Sequence, residues 1–231
     1  MSIVYIISAP SGSGKSTLVN ELLKRVPGLD FSISYTTRPP RGSERNGREY
    51  FFVPRSDFDK MVQNDELLEH AEVFGNCYGT ARRFLREAQQ HGHDLVLDID
   101  VQGAAQIKRK IPDAVSIFVL PPDRDKLERR LRNRGLDTDQ VIRRRLVTAS
   151  REIENYDKYD YILVNDQLEQ SMDQLRAIVL SERLRRSEPT SSTTDLNILD
   201  MAEECRLENA REKVQPILAS FLTTAAPGGK S

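Results

Sequence analysis

Cysteine is scarce in this chain of 231 residues, and the two present, Cys77 and Cys205, lie far apart with no CxxC or Cys/His cluster around either. A disulfide framework and a structural zinc site are thereby excluded, and a reducing, cytoplasmic setting is expected. Long apolar runs are missing too. No stretch approaches the ~18 apolar residues of a membrane-spanning helix, and no basic segment precedes the short apolar run at the start, so we expect neither membrane association nor export. Charge of one sign is also lacking: 34 basic residues face 35 acidic ones, a formal net charge of −1. Bulk nucleic-acid binding is not expected, and any polyanion must meet a local cluster of Arg and Lys. There is no internal repeat, and low complexity is confined to "SEPTSSTTD" and the last few residues.

What is present is enough chain for a sizeable core and an alternating texture. Ile3–Ser8, Leu95–Asp100, Val115–Leu120 and Tyr161–Val164 are apolar runs of strand length, each followed by helical spacing. That alternation predicts an α/β fold, a parallel sheet flanked by helices. Between the first two runs, Phe31–Tyr35, Glu49–Val53 and Leu67–Val73 read as short strands separated by the turn-rich "RPPRGSERNGR" and "FGNCYG", a β-rich insert. From Arg124 to Arg151 nine arginines lie on a helical pattern interrupted by "NRGLDTDQ", a Gly stop followed by an Asp/Thr start, which predicts a helix-turn-helix flap. Beyond Arg186 we expect a polar linker over 187–195 and a separate helical extension over 196–231. In it Asp195 would cap one helix through "LNILDMAEECRLENAREK" and Pro216 would open a second.

The opening "SAPSGSGKST" has the P-loop shape: a strand, a glycine-bearing turn, then Gly14-Lys15-Ser16 at a helix start. Gly12 and Gly14 let backbone N–H groups wrap a phosphate, with the helix dipole favouring the anion. Lys15 adds a mobile cation for the β- and γ-phosphates and Ser16 is placed to ligate Mg²⁺. Ala9 replaces the usual first Gly. In this context the loop reads as the cradle of a nucleotide triphosphate formed by residues Ala9, Pro10, Ser11, Gly12, Ser13, Gly14, Lys15, Ser16 and Thr17.

The acceptor must be named by the insert. Arg38 and Arg41, three residues apart with Tyr50 close behind, suit a phosphate monoester, since arginine binds phosphate bidentately and a tyrosine hydroxyl adds a donor. For the two arginines alone, a solvated basic loop is the better reading. Glu69 lies in the apolar "LLEHAEV", where an inward carboxylate needs donors such as the N1–H and amino group of guanine; a surface acid on a half-buried strand is the other reading. Asp98 ends an apolar run as a Walker-B-like carboxylate able to hold a water on Mg²⁺, or as a cap on a neighbouring helix.

The motifs "SAPSGSGKST", "SYTTRPPR", "REYFFV", "LLEHAEVFGNCYGT", "LDIDVQGA" and "ILVNDQL" together resemble the guanylate kinase family from about Ile3 to Arg186. The resemblance implies a P-loop kinase domain over 1–186, with a monophosphate-binding insert at about 34–80 and a lid at about 124–152, that transfers the γ-phosphoryl of ATP to GMP with Mg²⁺ in purine nucleotide metabolism. It implies Ser34, Glu69, Thr80 and Asp100 on guanine, and Arg38, Arg41, Tyr50 and Tyr78 on the GMP phosphate. Arg134 and Arg145 would reach the transferring phosphate with Arg130 in support, and Asn165 and Asp166 would lie near adenine. Cys77 stands where the family pattern often has Tyr.

Two rivals bear on this resemblance. A non-catalytic scaffold module on the same fold would be expected to lack the P-loop lysine or the phosphate arginines, whereas this chain keeps Lys15, Arg38, Arg41, Arg134 and Arg145. A kinase for another acceptor such as AMP would not place Glu69 and Asp100 against a base whose N1 is itself an acceptor. A homo-oligomer is compatible with the sequence, which carries nothing that decides it.

Overall fold

The computed structural model describes residues 2–135, 137–187 and 193–222. The expected linker falls mostly on 188–192, outside the described residues, as do the last nine positions. The chain divides into two compact units, Met1–Ile7 with Val26–Ser116, and Ser8–Arg25 with Ile117–Ser231.

In the first unit, β1 (Val4–Ser8, its last residue in the second unit), β2 (Leu29–Ser32) and β7 (Asp94–Asp98) pair in parallel, with β7 central. β1 is buried along its whole length and β7 over all but Asp98, as expected of parallel strands covered on both faces. The insert holds β3 (Tyr35–Thr36), β4 (Phe51–Phe52), α2 (Arg55–Gln63), β5 (Leu67–Val73) and β6 (Asn76–Ala81), with sheet order β4-β3-β6-β5. α3 (Arg82–His91) and α4 (Val101–Lys110) complete the unit, and the Asp100 carboxylate caps α4 by accepting the Gly103 N–H at 2.8 Å.

Two elements differ from expectation. The segment expected as one insert strand over 31–35 divides, and β2 joins the parallel sheet through its register with β7. "NCYG", expected as turn, is strand: the β5–β6 reversal is made by Phe74 and Gly75, at φ 51° and 77°. The small residues of β6 suit their setting, because a Cβ on Gly79 would come within 2.9 Å of Leu67 and 3.1 Å of Phe58.

In the second unit the loop after β1 runs into α1 (Lys15–Arg25), which buries Leu18, Val19 and Leu22. Then follow β8 (Val115–Leu120, mostly in this unit), α5 (Arg124–Asn133), α6 (Asp139–Ile153), β9 (Tyr161–Val164), α7 (Leu168–Arg186), α8 (Thr193–Glu203) and α9 (Leu207–Leu222), with β8 and β9 parallel. Asp123 caps α5 and Thr138 caps α6, with Gly135 at φ 65° turning the chain between them.

The extension is no separate appendage. α8 packs on α7, while α9 packs on β9, α5 and α6. The single helix expected through Lys213 breaks at 204–206 because that segment pairs with β9: Ile162 N donates to Cys205 O at 2.7 Å, Leu207 N to Asp160 O at 3.1 Å, and Arg206 bridges Tyr161. An edge strand leaves backbone groups that must be met, and here the extension meets them. Pro216 lies inside α9 instead of opening it, on the exposed face where water can serve the carbonyl it leaves without a partner.

Candidate active site

In the first unit the insert gathers a carboxylate and an arginine, both buried. Glu69, on β5, is 3% exposed. Burial pushes its carboxyl up to about 7, and the Asp100 charge adds to the rise, while hydrogen bonding from Thr80 and the Lys110 ammonium act against it. Gly103 on α4 is what lets the carboxyl lie there, because a Cβ at that position would sit 2.5 Å from Oε2 and 3.0 Å from Cδ of Glu69. Thr80 is buried directly opposite Glu69 across the β5–β6 pair, and Ser34 is buried as well. Asp100 gives one oxygen to the Gly103 N–H and the other to the Gln102 side chain at 3.3 Å.

Arg38 is 5% exposed and both terminal nitrogens of its guanidinium are hydrogen-bonded. Nη2 donates to both Glu44 oxygens at 2.9 Å, Nη1 donates to Pro39 O at 2.8 Å, and the group lies 5.3 Å from the Tyr50 ring centre. Glu44 also accepts the Arg41 N–H at 2.8 Å, so one acid ties both ends of the arginine loop. Tyr50 and Tyr78 meet edge to face, 5.8 Å between centres. Burial pushes the Tyr50 hydroxyl up to about 12, with the Asp98 charge contributing, so it remains a donor at neutral pH. The cluster thus collects Arg38, Tyr50, Tyr78 and Asp98; the Arg41 side chain is exposed. The cap of α4 is Asp100.

In the second unit Gly12 and Gly14 take φ 98° and 89°, values that L side chains rarely adopt. The loop is clasped from outside: Asn165 Nδ2 donates to Ser13 O at 2.7 Å, and Arg130 reaches Ser13 O at 3.4 Å and Asn165 O at 2.9 Å. A Cβ on Gly14 would stand 2.4 Å from Asn165 Nδ2. Beside the loop opens a cleft of 360 Å³ lined by Gly12, Gly14, Thr17, Arg130 and Arg134, together with Asn165, Asp166, Leu168 and Asn133. Asp166 is ion-paired with Lys126. Arg145 is not on the cleft lining and pairs with Asp137 at 3.1 Å.

Sequence reasoning missed four residues that the structure brings to these places. Glu44 was signalled as the one acid inside a basic loop, Gly103 by lying in the quoted "LDIDVQGA", and Asn133 and Leu168 by nothing local, since only the turn of the chain brings them to the cleft.

A strand, a glycine-bearing phosphate loop and a helix, with arginines closing on the loop, define a P-loop phosphotransferase. A family model, Guanylate kinase, matches residues 1–182. The guanylate kinase of Koribacter versatilis is 62% identical over 227 residues, 97% of each chain, and that of Escherichia coli K12 is 50% identical over 186 residues, 80% of this chain and 90% of that one. The crystal structure of guanylate kinase from Anaplasma phagocytophilum is similar with a TM-score of 0.67 at 35% identity, covering 79% of this chain and 87% of that one. The chain belongs to the guanylate kinase family.

Proposed function

We infer that this chain works as an ATP:GMP phosphotransferase, moving the γ-phosphoryl of ATP to GMP to give ADP and GDP in cytoplasmic purine nucleotide metabolism. The observation that carries the choice of acceptor is the carboxylate of Glu69, 3% exposed and fitted against Gly103. A buried acceptor asks for donors. Guanine offers N1–H and an amino group side by side; adenine meets the same carboxylate with the N1 acceptor. Ser34, Thr80 and Asp100 would complete the base contacts. Arg38, Arg41, Tyr50 and Tyr78 would hold the phosphate, with Arg38 exchanging Glu44 for the incoming dianion.

On the donor side, loop N–H groups, Lys15, Arg130 and Arg134 would hold the ATP phosphates. Arg145 would join them once its ion pair with Asp137 opens, the motion we assign to the α5–α6 lid. Asn165 acts by fixing the loop, which leaves Asp166, Asn133 and Leu168 toward adenine. The divalent metal we assign is Mg²⁺. The Ser16 hydroxyl, exposed on the first turn of α1, is a hard oxygen donor of the kind that this ion takes beside phosphate and water. When bound, it neutralises phosphate charge. The remaining work is alignment and charge placement, with no side chain of special basicity required.

Incubating the chain with ATP, Mg²⁺ and each nucleoside monophosphate in turn, with ADP formation as readout, tests the reading. GMP is expected to exceed AMP by ~10⁴-fold in kcat/KM, the discrimination open to a site that leaves its polar groups unpaired with the wrong substrate. Equal turnover of AMP would contradict the base assignment, and absence of turnover with every acceptor would favour a scaffold module.

A further inference from the structure

Outside the kinase machinery, one cluster in the first unit has the make-up of a metal site. The chain has three histidines, and two of them, His91 and His93, face a single carboxylate. His91 Nδ1 lies 2.8 Å from Asp30 Oδ2, and His93 Nδ1 lies 2.8 Å from Asp30 Oδ1. The three donor atoms are all within 4.8 Å of one another. The backbone makes this possible: α3 closes on Gly92 at φ 68°, so the chain reverses between the two histidines, and β2 sets Asp30 beside the start of β7. Side-chain exposures of 58% for His91, 41% for His93 and 28% for Asp30 leave the cluster open to solvent.

We propose that Asp30, His91 and His93 form a surface site for one first-row divalent transition-metal ion of the zinc class, joining the end of α3 to β2. Two imidazole nitrogens and a carboxylate oxygen are the donor set that suits Zn²⁺, Ni²⁺ or Cu²⁺, whereas Mg²⁺ and Ca²⁺ take oxygen. Tetrahedral bonds of about 2.0–2.1 Å place neighbouring ligand atoms about 3.4 Å apart, so the histidine bonded to the oxygen that takes the ion must open from 2.8 Å by about half an ångström and the other must turn toward that oxygen. Exposed rings can supply that by rotation. Water fills the remaining position, and the ion acts as a clip, not as a participant in phosphoryl transfer.

The test is Zn²⁺ titrated calorimetrically into the intact, untagged, chelator-stripped chain without nucleotide. One saturable site per chain is expected. His91→Ala, His93→Ala and Asp30→Asn should each weaken it at least tenfold, while His70→Ala, which removes the third histidine, leaves it unchanged. Co²⁺ should develop visible absorption bands in the parent protein and lose them in His93→Ala. No saturable site, or full Zn²⁺ affinity in variants that circular dichroism shows to be folded, would overturn the proposal; so would loss of the site in His70→Ala alone.

Discussion

Glu69 and Gly103 act as one device. The helix leaves no side chain at 103, the carboxyl occupies the space, and burial pushes it up to about 7. In the proposed role the carboxylate accepts from guanine in its ionised form, so the carboxyl would shed its proton as GMP binds. Because its value lies above the usual carboxylate range, the affinity for GMP in that role would be full only above about pH 8 and would fall as the pH drops through about 7. We expect KM for GMP to rise between about pH 8 and pH 6; Glu69→Gln, which carries no titrating group there, should lack that rise beyond what the substrate phosphate contributes. Gly103→Ala should raise KM for GMP by about tenfold, since about 1.4 kcal/mol of displaced contact suffices, and leave KM for ATP unchanged; an unaltered GMP constant would show that the carboxyl has room to move. On the donor side, Lys15→Met should cost ~2–4 kcal/mol of transition-state stabilisation, seen as a fall in kcat with both substrates saturating. Near-parental turnover would contradict its role. Glu69 and Lys15 stand out as candidates in the sequence because their neighbours carry the signal. Glu44 and Gly103 were not singled out, because their function depends on what the fold brings against them.

Among the elements, α5 links nucleotide and extension. Its Arg130 clasps the phosphate loop and its first N–H, that of Arg124, is taken by Ser220 Oγ of α9 at 3.1 Å. α9 buries Val214, Ile217 and Phe221, each worth about 1.5–3 kcal/mol, and Arg206 pairs with the buried Glu182 at 3.0 Å while lying 4.4 Å over the Tyr161 ring. A chain ending at Ser187 should therefore unfold at a clearly lower temperature, because β9 and α7 lose their cover. All the named site residues remain in it, so activity should survive below that temperature. An unchanged melting point would mean that the extension contributes nothing to the second unit. Ser220→Ala tests the narrower link: loss of a helix-end partner costs about 1 kcal/mol, visible as a small drop in melting temperature with kcat/KM for GMP retained. The extension's helices were legible from apolar spacing, but their break was not. Nothing in "ECR" announces a strand partner, and Pro216 looks like a helix start until the exposed face that tolerates it is known.

For the whole molecule, the candidate site residues follow the two units: the first holds the buried carboxylate of Glu69 and the buried Arg38, the second the glycine-bearing loop and the groups that clasp it. The strands β1, β7, β8 and β9 were readable because doubly covered parallel strands are apolar throughout. β2, with Asp30 in its four residues, carries no such mark, and β6 was hidden because "NCYG" has turn composition yet fits the tight space beside Phe58 and Leu67. No helix among the described residues is long and apolar enough to cross a membrane. The central claim is that one buried carboxylate selects guanine. Its most direct test is the ratio of kcat/KM for GMP to that for AMP, measured in the parent chain and in Glu69→Gln with folding verified. The account predicts a ratio near ~10⁴ in the parent that collapses by at least tenfold in the variant, mainly through loss of GMP activity; a ratio left unchanged by the substitution would contradict it.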